Sequence, residues 1–195
     1  MKDIGTGFVT HQTIYLLNTM VTETAQLTLD SPLQNYTICQ DTQCSKWDSR
    51  FLRIAHEVQS WSKDPGTKVG CVLVKNKRII ATGYNGFPAN LSDALPLYED
   101  RDYKLAITIH AEQNALFNAA KNGANTEGCF AYVTFPPCSQ CAAALIQAGV
   151  KIVYSPDPKF APERWQKTFY IANKILTEAG VATIFYSEAD LVASS

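Results

Sequence analysis

Basic residues are scarce at the start of this chain and do not outnumber acidic ones over its length. Between Lys2 and Lys46 there is neither lysine nor arginine, which argues against an arginine-rich transit peptide. Over 195 residues, 17 Lys and Arg face 18 Asp and Glu, a net charge of −1. That balance argues against the basic face of a nucleic-acid binder, so no nucleic-acid partner is expected. No apolar run approaches ~18–20 residues, so no membrane span is expected. Met1-Lys2-Asp3 is followed by mixed Thr, Gly and Gln rather than by the apolar core of a secretory signal. Together these absences predict a cytoplasmic protein. Internal repeats and low-complexity tracts are also missing. The apolar share of 46% is ordinary for a globular protein, and the length suits one domain with an appendage.

Against this background one constellation stands out. His110-Ala111-Glu112 is followed by Pro136-Pro137-Cys138-Ser139-Gln140-Cys141. One imidazole and two thiols can hold a Zn²⁺ ion and leave its fourth position to water. A carboxylate two residues from the histidine can then move that water's proton. Cys138 and Cys141, at i and i+3, share a helix face with Cβ atoms roughly 5–6 Å apart. Two thiolates on tetrahedral zinc need sulfurs roughly 3.8 Å apart, and the side chains can converge that far. Pro136 and Pro137 fit before or within the first helical turn, where a missing N–H costs nothing. The cysteines are thus expected at a helix N-terminus, whose dipole favours thiolate. His110 and Glu112 open a second helix running to about Lys121. Residues i and i+2 on that helix diverge, so His110 binds metal while Glu112 reaches past it to water and substrate.

Each half alone has another meaning. An H-x-E tripeptide is commonly a solvated helix start, and a lone C-x-x-C can be a redox pair. The redox reading gives His110 and Glu112 no role. A purely structural zinc would have four protein ligands, and no fourth Cys or His accompanies the motif.

Of the six cysteines, Cys71 and Cys129 fall in strand-like runs and read as buried small hydrophobes. Cys39 and Cys44 lie in residues 1–45, a Thr-, Gln- and Asn-rich extension of low charge. With His11 or His56 they could form a second metal site, but nothing supplies a ligand set at zinc-finger spacing. Apolar residues from Trp47 to Trp61 follow helical spacing. Val69–Lys75 and Arg78–Tyr84 predict a hairpin about Asn76-Lys77. Ala89–Lys104 reads as charged and irregular. Strands at Cys129–Thr134, Lys151–Tyr154 and Val181–Tyr186 alternate with helices after Pro137 and at Glu163–Ala179. The order implies βαβ crossovers and a mixed sheet with helices on both faces, and both metal-binding helices start at its ligand-binding edge.

Further motifs extend the pattern: Asp64-Pro65-Gly66-Thr67-Lys68-Val69-Gly70, Gly83 to Pro88 (GYNGFP), His110 to Ala115 (HAEQNA) and Tyr132-Val133-Thr134. From Trp47 to about Tyr186 the chain resembles the deoxycytidylate (dCMP) deaminases of the cytidine deaminase-like superfamily. Residues 46–190 are then a zinc-dependent nucleotide deaminase domain. The resemblance implies an α/β three-layer α/β/α sandwich with a five-stranded mixed sheet and a Zn²⁺ cofactor. It also implies a homo-oligomer, often a hexamer. The expected reaction is dCMP to dUMP and ammonia, feeding thymidylate synthesis, with zinc-bound hydroxide attacking C4 of cytosine and Glu112 shuttling protons. Many members respond to dCTP and dTTP with Mg²⁺.

Asn85 and Gly86 of the GYNG loop are candidate nucleotide or effector contacts, as are Asn114 and Lys121. Asn85 can also be read as a turn residue tolerating positive φ, and Lys121 as a helix C-terminal cation. Lys68 and Arg164 are candidate phosphate partners. Lys121 stands where arginine is common, which weakens a bidentate clamp. The extension, Asn118 in place of a bulky apolar residue, and Ser155 to Trp165 depart from the family pattern. These departures bear on regulation and on the exact nucleotide. Deamination of dCTP or a 5-modified dCMP, and a catalytically silent nucleotide-binding zinc protein, are the alternatives.

Overall fold

Alternation of side chains along a strand decides which residues the two faces of this sheet bury. In β1 (Gly70–Lys75), Cys71 and Leu73 join one core, and Val72 and Val74 join the other. In β3 (Phe130–Val133), Ala131 and Val133 face the first core and Tyr132 the second. A strand buried on both faces reads as a continuous apolar run, as Cys71–Val74 does. The computed structural model describes residues 44–92, 94 and 96–192. Cys39 and His11, and with them most of the expected extension, lie outside the described residues.

Five strands form one sheet in the order β2-β1-β3-β4-β5. β2 (Arg78–Tyr84) and β3 both run antiparallel to β1. β4 (Ile152–Pro156) and β5 (Ala182–Tyr186) continue in parallel. The hairpin turn is the expected one: Asn76 and Lys77 have φ of 52° and 60°, the left-handed pair that matches strand twist.

α1 (Lys46–Ser60) covers one face with Phe51, Leu52, Ala55 and Val58. Ser45 and Asp48 close its N-terminus as a capping box, a pairing that satisfies two otherwise orphaned amides. The opposite face carries α4 (Ala111–Lys121), α5 (Ser139–Gln147) and α6 (Glu163–Glu178). The result is the expected three-layer α/β/α sandwich.

Three differences from expectation matter. The stretch after Pro88 is not wholly irregular: it holds α2 (Pro96–Glu99) and α3 (Arg101–Ile107). Asp100 caps α3 by accepting from the Tyr103 amide at 3.0 Å, a local signal that outweighs a weak apolar period. A short α7 (Glu188–Val192) follows β5, and its Leu191 packs against the α1 core. Finally, His110 and Cys138 are not in helical turns. Both are N-cap residues with extended backbone, at φ/ψ of −71°/156° and −72°/168°.

α4 lies unusually near β2. A Cβ on Gly83 would collide with the Ala111 carbonyl and the Ala115 amide, so glycine permits the approach. Ala111, Ala115 and Ala119 are all fully buried on the face toward the sheet. At the margins, Asn114 and Asn118 donate side-chain N–H groups to the Tyr84 and Thr82 carbonyls, at 2.7 and 2.8 Å. Four residues of helix advance about 6 Å and two residues of strand about 7 Å, so the two rungs match. The polar Asn118 thus ties α4 to edge strand β2.

Gly83→Ala is expected to cost on the order of 1–3 kcal/mol through overpacking, read as a shift of the urea midpoint. Because the start of α4 must move, metal content should fall in the same variant.

Candidate active site

His110 and Cys138 sit just ahead of α4 and α5, and Cys141 in the first turn of α5. These two helix starts converge at one end of the sheet. His110 Nδ1 lies 3.5 Å from Cys138 Sγ and 3.3 Å from Cys141 Sγ. All three donor atoms fall within 4.8 Å of one another. On a tetrahedral zinc, bond lengths of about 2.0–2.3 Å place N and S roughly 3.6 Å apart, so the donor set has the size the ion requires. The convergence of the cysteines differs in origin from the shared helix face expected. Cys138, as N-cap, accepts the Cys141 amide on its sulfur at 3.5 Å.

The ionisation of the pair also suits a dication. Cys138 is lowered to about 4, first because Cys141 hydrogen-bonds to it and then, against its burial, because His110 does. Cys141 is pushed up, chiefly by that same partner and then by burial. His110 is raised by its bond to Cys138, against its burial. One sulfur thus ionises more readily than the other, and a divalent cation would favour ionising both. Among the described residues the donor set has three members, as in catalytic zinc sites that keep one position open.

Glu112 stands at the floor of the same cleft, whose volume is about 550 Å³. The residue is 3% exposed. Burial pushes the carboxyl up to about 7, against the pull of its own backbone amide and of His110. A carboxyl poised there can both take and return a proton near neutral pH. Phe135, Trp165 and Phe169 form an aromatic wall, with Phe135 edge-on to Phe169 at 5.6 Å and Trp165 stacked on Phe169 at 6.2 Å.

The rim is tied together by Asp64, which is 3% exposed. Its Oδ1 accepts from the Gly66 and Thr67 amides at 2.7 and 3.1 Å and from Lys104 Nζ at 2.7 Å. Asn85 lines the cleft, yet its carboxamide is committed to the protein. It accepts from the Val69 amide at 2.7 Å and donates to the Thr67 carbonyl at 2.8 Å. Its φ is not positive, so the turn explanation for Asn85 fails; the residue holds the Asp64 loop against the GYNG segment. Gly86 exchanges two backbone hydrogen bonds with Ile109, at 3.1 and 2.9 Å, and so fixes the approach to His110.

The structure thus brings His110, Glu112, Cys138, Asn85 and Arg164 to one cleft, with Cys141 behind them. Asn114 is engaged with β2. Lys68 is exposed and directs Nζ to the Ser60 carbonyl at 3.4 Å. Lys121 ends α4, at the far end of the helix from His110. None of these three lines the cleft. His56, once a candidate ligand with Cys39 and Cys44, is half-buried against Tyr186, with Nε2 and the phenol oxygen 3.3 Å apart. Arg101, Lys104, Phe135 and Trp165 line the cleft without having been singled out from sequence. The cap at Asp100 was the available signal for the segment that carries the first two.

Residues 45–155 match the model of the cytidine and deoxycytidylate deaminase zinc-binding region. The chain belongs to this zinc-binding deaminase family. It is 41% identical over 138 residues to an uncharacterized deaminase in the luxG 3′ region of Aliivibrio fischeri, covering 70% of this chain and 91% of that protein. It is 41% identical over 138 residues to a probable deoxycytidylate deaminase of Caenorhabditis elegans, covering 69% of this chain and 66% of that protein. The solved dCMP deaminase of cyanophage S-TIM5, in complex with dCMP and dUMP, matches with a TM-score of 0.61 at 26% identity, over 74% of this chain and 100% of that one. The family is a zinc-binding one, and the His110, Cys138 and Cys141 cluster is the candidate metal site within the matched residues. No helix among the described residues is long and apolar enough to cross a membrane.

Purified protein is expected to carry about one zinc ion per chain, measured by mass spectrometry of the metal. His110→Ala and Cys138→Ala should lose it, and Glu112→Gln should keep it. Retention in His110→Ala would remove the histidine from the ligand set.

Proposed function

We propose that this protein hydrolyses dCMP to dUMP and ammonia, supplying dUMP for thymidylate synthesis. The observation that carries the reading is Glu112, a buried carboxyl raised toward neutrality beside a three-ligand zinc set on the floor of a nucleotide-sized cleft. The names of the relatives support the same substrate.

Zinc held by His110, Cys138 and Cys141 supplies the Lewis acidity that makes water more acidic. Glu112 takes one proton from the attacking water as its oxygen bonds to C4 of the cytosine. It returns that proton to N3, which neutralises charge building on the ring. The remaining hydroxyl proton then passes through Glu112 to the exocyclic nitrogen. The C4–N bond breaks, ammonia leaves, and C4 keeps the oxygen as a carbonyl. One carboxyl serves throughout because each donation reloads it for the next acceptance. Phe135 and Trp165 offer flat faces against which the pyrimidine can stack.

Regulation by dCTP and dTTP with Mg²⁺ belongs to the same proposal. Asn114, Lys68 and Lys121 stand outside the cleft, so an effector that used them would bind apart from the substrate. The exposed Ile79, Tyr84 and Phe117 on β2 and α4 support a homo-oligomer, with a hexamer expected. The site of action proposed is the cytoplasm.

Ammonia release from zinc-loaded protein supplied with dCMP, with and without dCTP and Mg²⁺, tests the reading. Turnover is expected, and dependence on dCTP would mark the regulated form. Glu112→Gln should retain zinc and lose roughly 10²- to 10⁴-fold in kcat. Wild-type-like turnover in that variant would remove Glu112 from its role. Release from dCTP or a 5-modified dCMP but not from dCMP would overturn the substrate.

A further inference from the structure

Three cations line the cleft: Arg101, Lys104 and Arg164. Lys104 is committed, since its Nζ pairs with Asp64 at 2.7 Å. Neither arginine makes an ion pair within 4.0 Å among the described residues, although Glu99 shares the same rim. Both guanidinium groups belong to exposed residues. Arg101 is the first residue of α3 and Arg164 the second of α6. A cation in a helix's first turn sits at the positive end of the dipole and is disfavoured there. Local rules broken without an evident gain point to function. The guanidinium fork fits the planar, bidentate recognition of phosphate, and a phosphate monoester is close to a dianion at neutral pH.

We infer that Arg101 and Arg164, reaching in from α3 and α6, clamp the 5′-phosphate of a nucleoside monophosphate whose base lies over Glu112. The inference rests on the deaminase reading and adds to it the two residues that make the cleft prefer a monophosphate to a free nucleoside. The Asp64–Lys104 pair has a positioning part, because it anchors α3, and so Arg101, to the loop before β1.

Two measurements separate this proposal from the reading beneath it. The first is kcat/KM for dCMP relative to deoxycytidine. Arg101→Ala and Arg164→Ala should each lower that ratio about tenfold or more, as expected for a lost charge-assisted hydrogen bond, mainly through KM for dCMP. Arg→Lys at either position should restore part of the ratio, which a merely unfolded variant would not show. The second is calorimetric binding of dUMP against deoxyuridine, which needs no turnover. Wild-type protein should hold dUMP the more tightly, and each alanine variant should lose most of that preference. Arginine-dependent binding of dUMP without ammonia release from dCMP would keep the clamp and sink the deamination. No preference for dUMP in the wild type, or a preference unchanged in either alanine variant, would overturn the clamp.

Discussion

The distance between α4 and β2 governs the floor of the cleft. His110 caps α4 and Glu112 sits in its first turn, so any lift of that helix carries the imidazole away from the sulfurs. Gly83 and the buried alanines of α4 set the approach, and the Asn114 and Asn118 side chains lock it along the strand. Small residues on a helix face are a weak source of hydrophobic free energy, since little apolar area is covered. What they provide here is nearness, and the larger side chains of α1 on the opposite face, Phe51 and Leu52 among them, supply more of the burial. Leu145 of α5 and Leu176 of α6 add burial on the same face as α4, so α4 places the site while its neighbours stabilise the fold.

Placing Glu112 out of water has an electrostatic cost that the site turns to use. An ionised carboxylate in such a position is disfavoured, and the group answers by holding its proton more tightly. His110 and the Glu112 backbone amide offset part of the shift. The two cysteines show the same physics in another form. Neighbouring thiols cannot both ionise easily, so one falls and the other rises. A dication would remove the conflict for the sulfurs. In the proposed reaction, ligation and proton transfer fall to His110 and Glu112, only two residues apart in the chain.

The parts of this architecture that repeat were legible in the sequence. The apolar run of Val69–Lys75, the Asn76-Lys77 turn and the helical spacing of Phe51, Leu52, Ala55 and Val58 are local signals that packing enforces. The clustering of His110, Cys138 and Cys141 beside Glu112 was legible for a different reason: the chemistry such a set can perform permits few substitutes, and the spacing within each half of the motif is short. The cap geometry was not. An i, i+3 pair of cysteines looks alike whether the first lies within the helix or just ahead of it, and only the backbone angles decide. Nor was the role of Asn85. A loop asparagine has four hydrogen-bonding sites to offer, and whether they go to ligand or to backbone depends on partners such as Thr67 and Val69, distant by 18 and 16 residues in the chain.

The rim of the cleft was the least legible because it owes little to periodicity. Arg101 and Lys104 come from a seven-residue helix with no buried residue of its own, so no apolar stripe announced it. Isolated helices that short do not hold themselves together. α3 is held instead by its Asp100 cap and by the bond from Lys104 to Asp64. Asp64 in turn depends on amides of its own loop, and that loop on Asn85. The chain of dependence runs from a loop, through one buried carboxylate, to a helix that the core does not support. Beside these polar contacts, α3 has an aromatic contact, Tyr103 edge-on to the buried Phe87 at 6.2 Å. In the proposed reaction the residues of such a rim answer to the part of the substrate away from the reacting ring, while those of the floor answer to the ring itself.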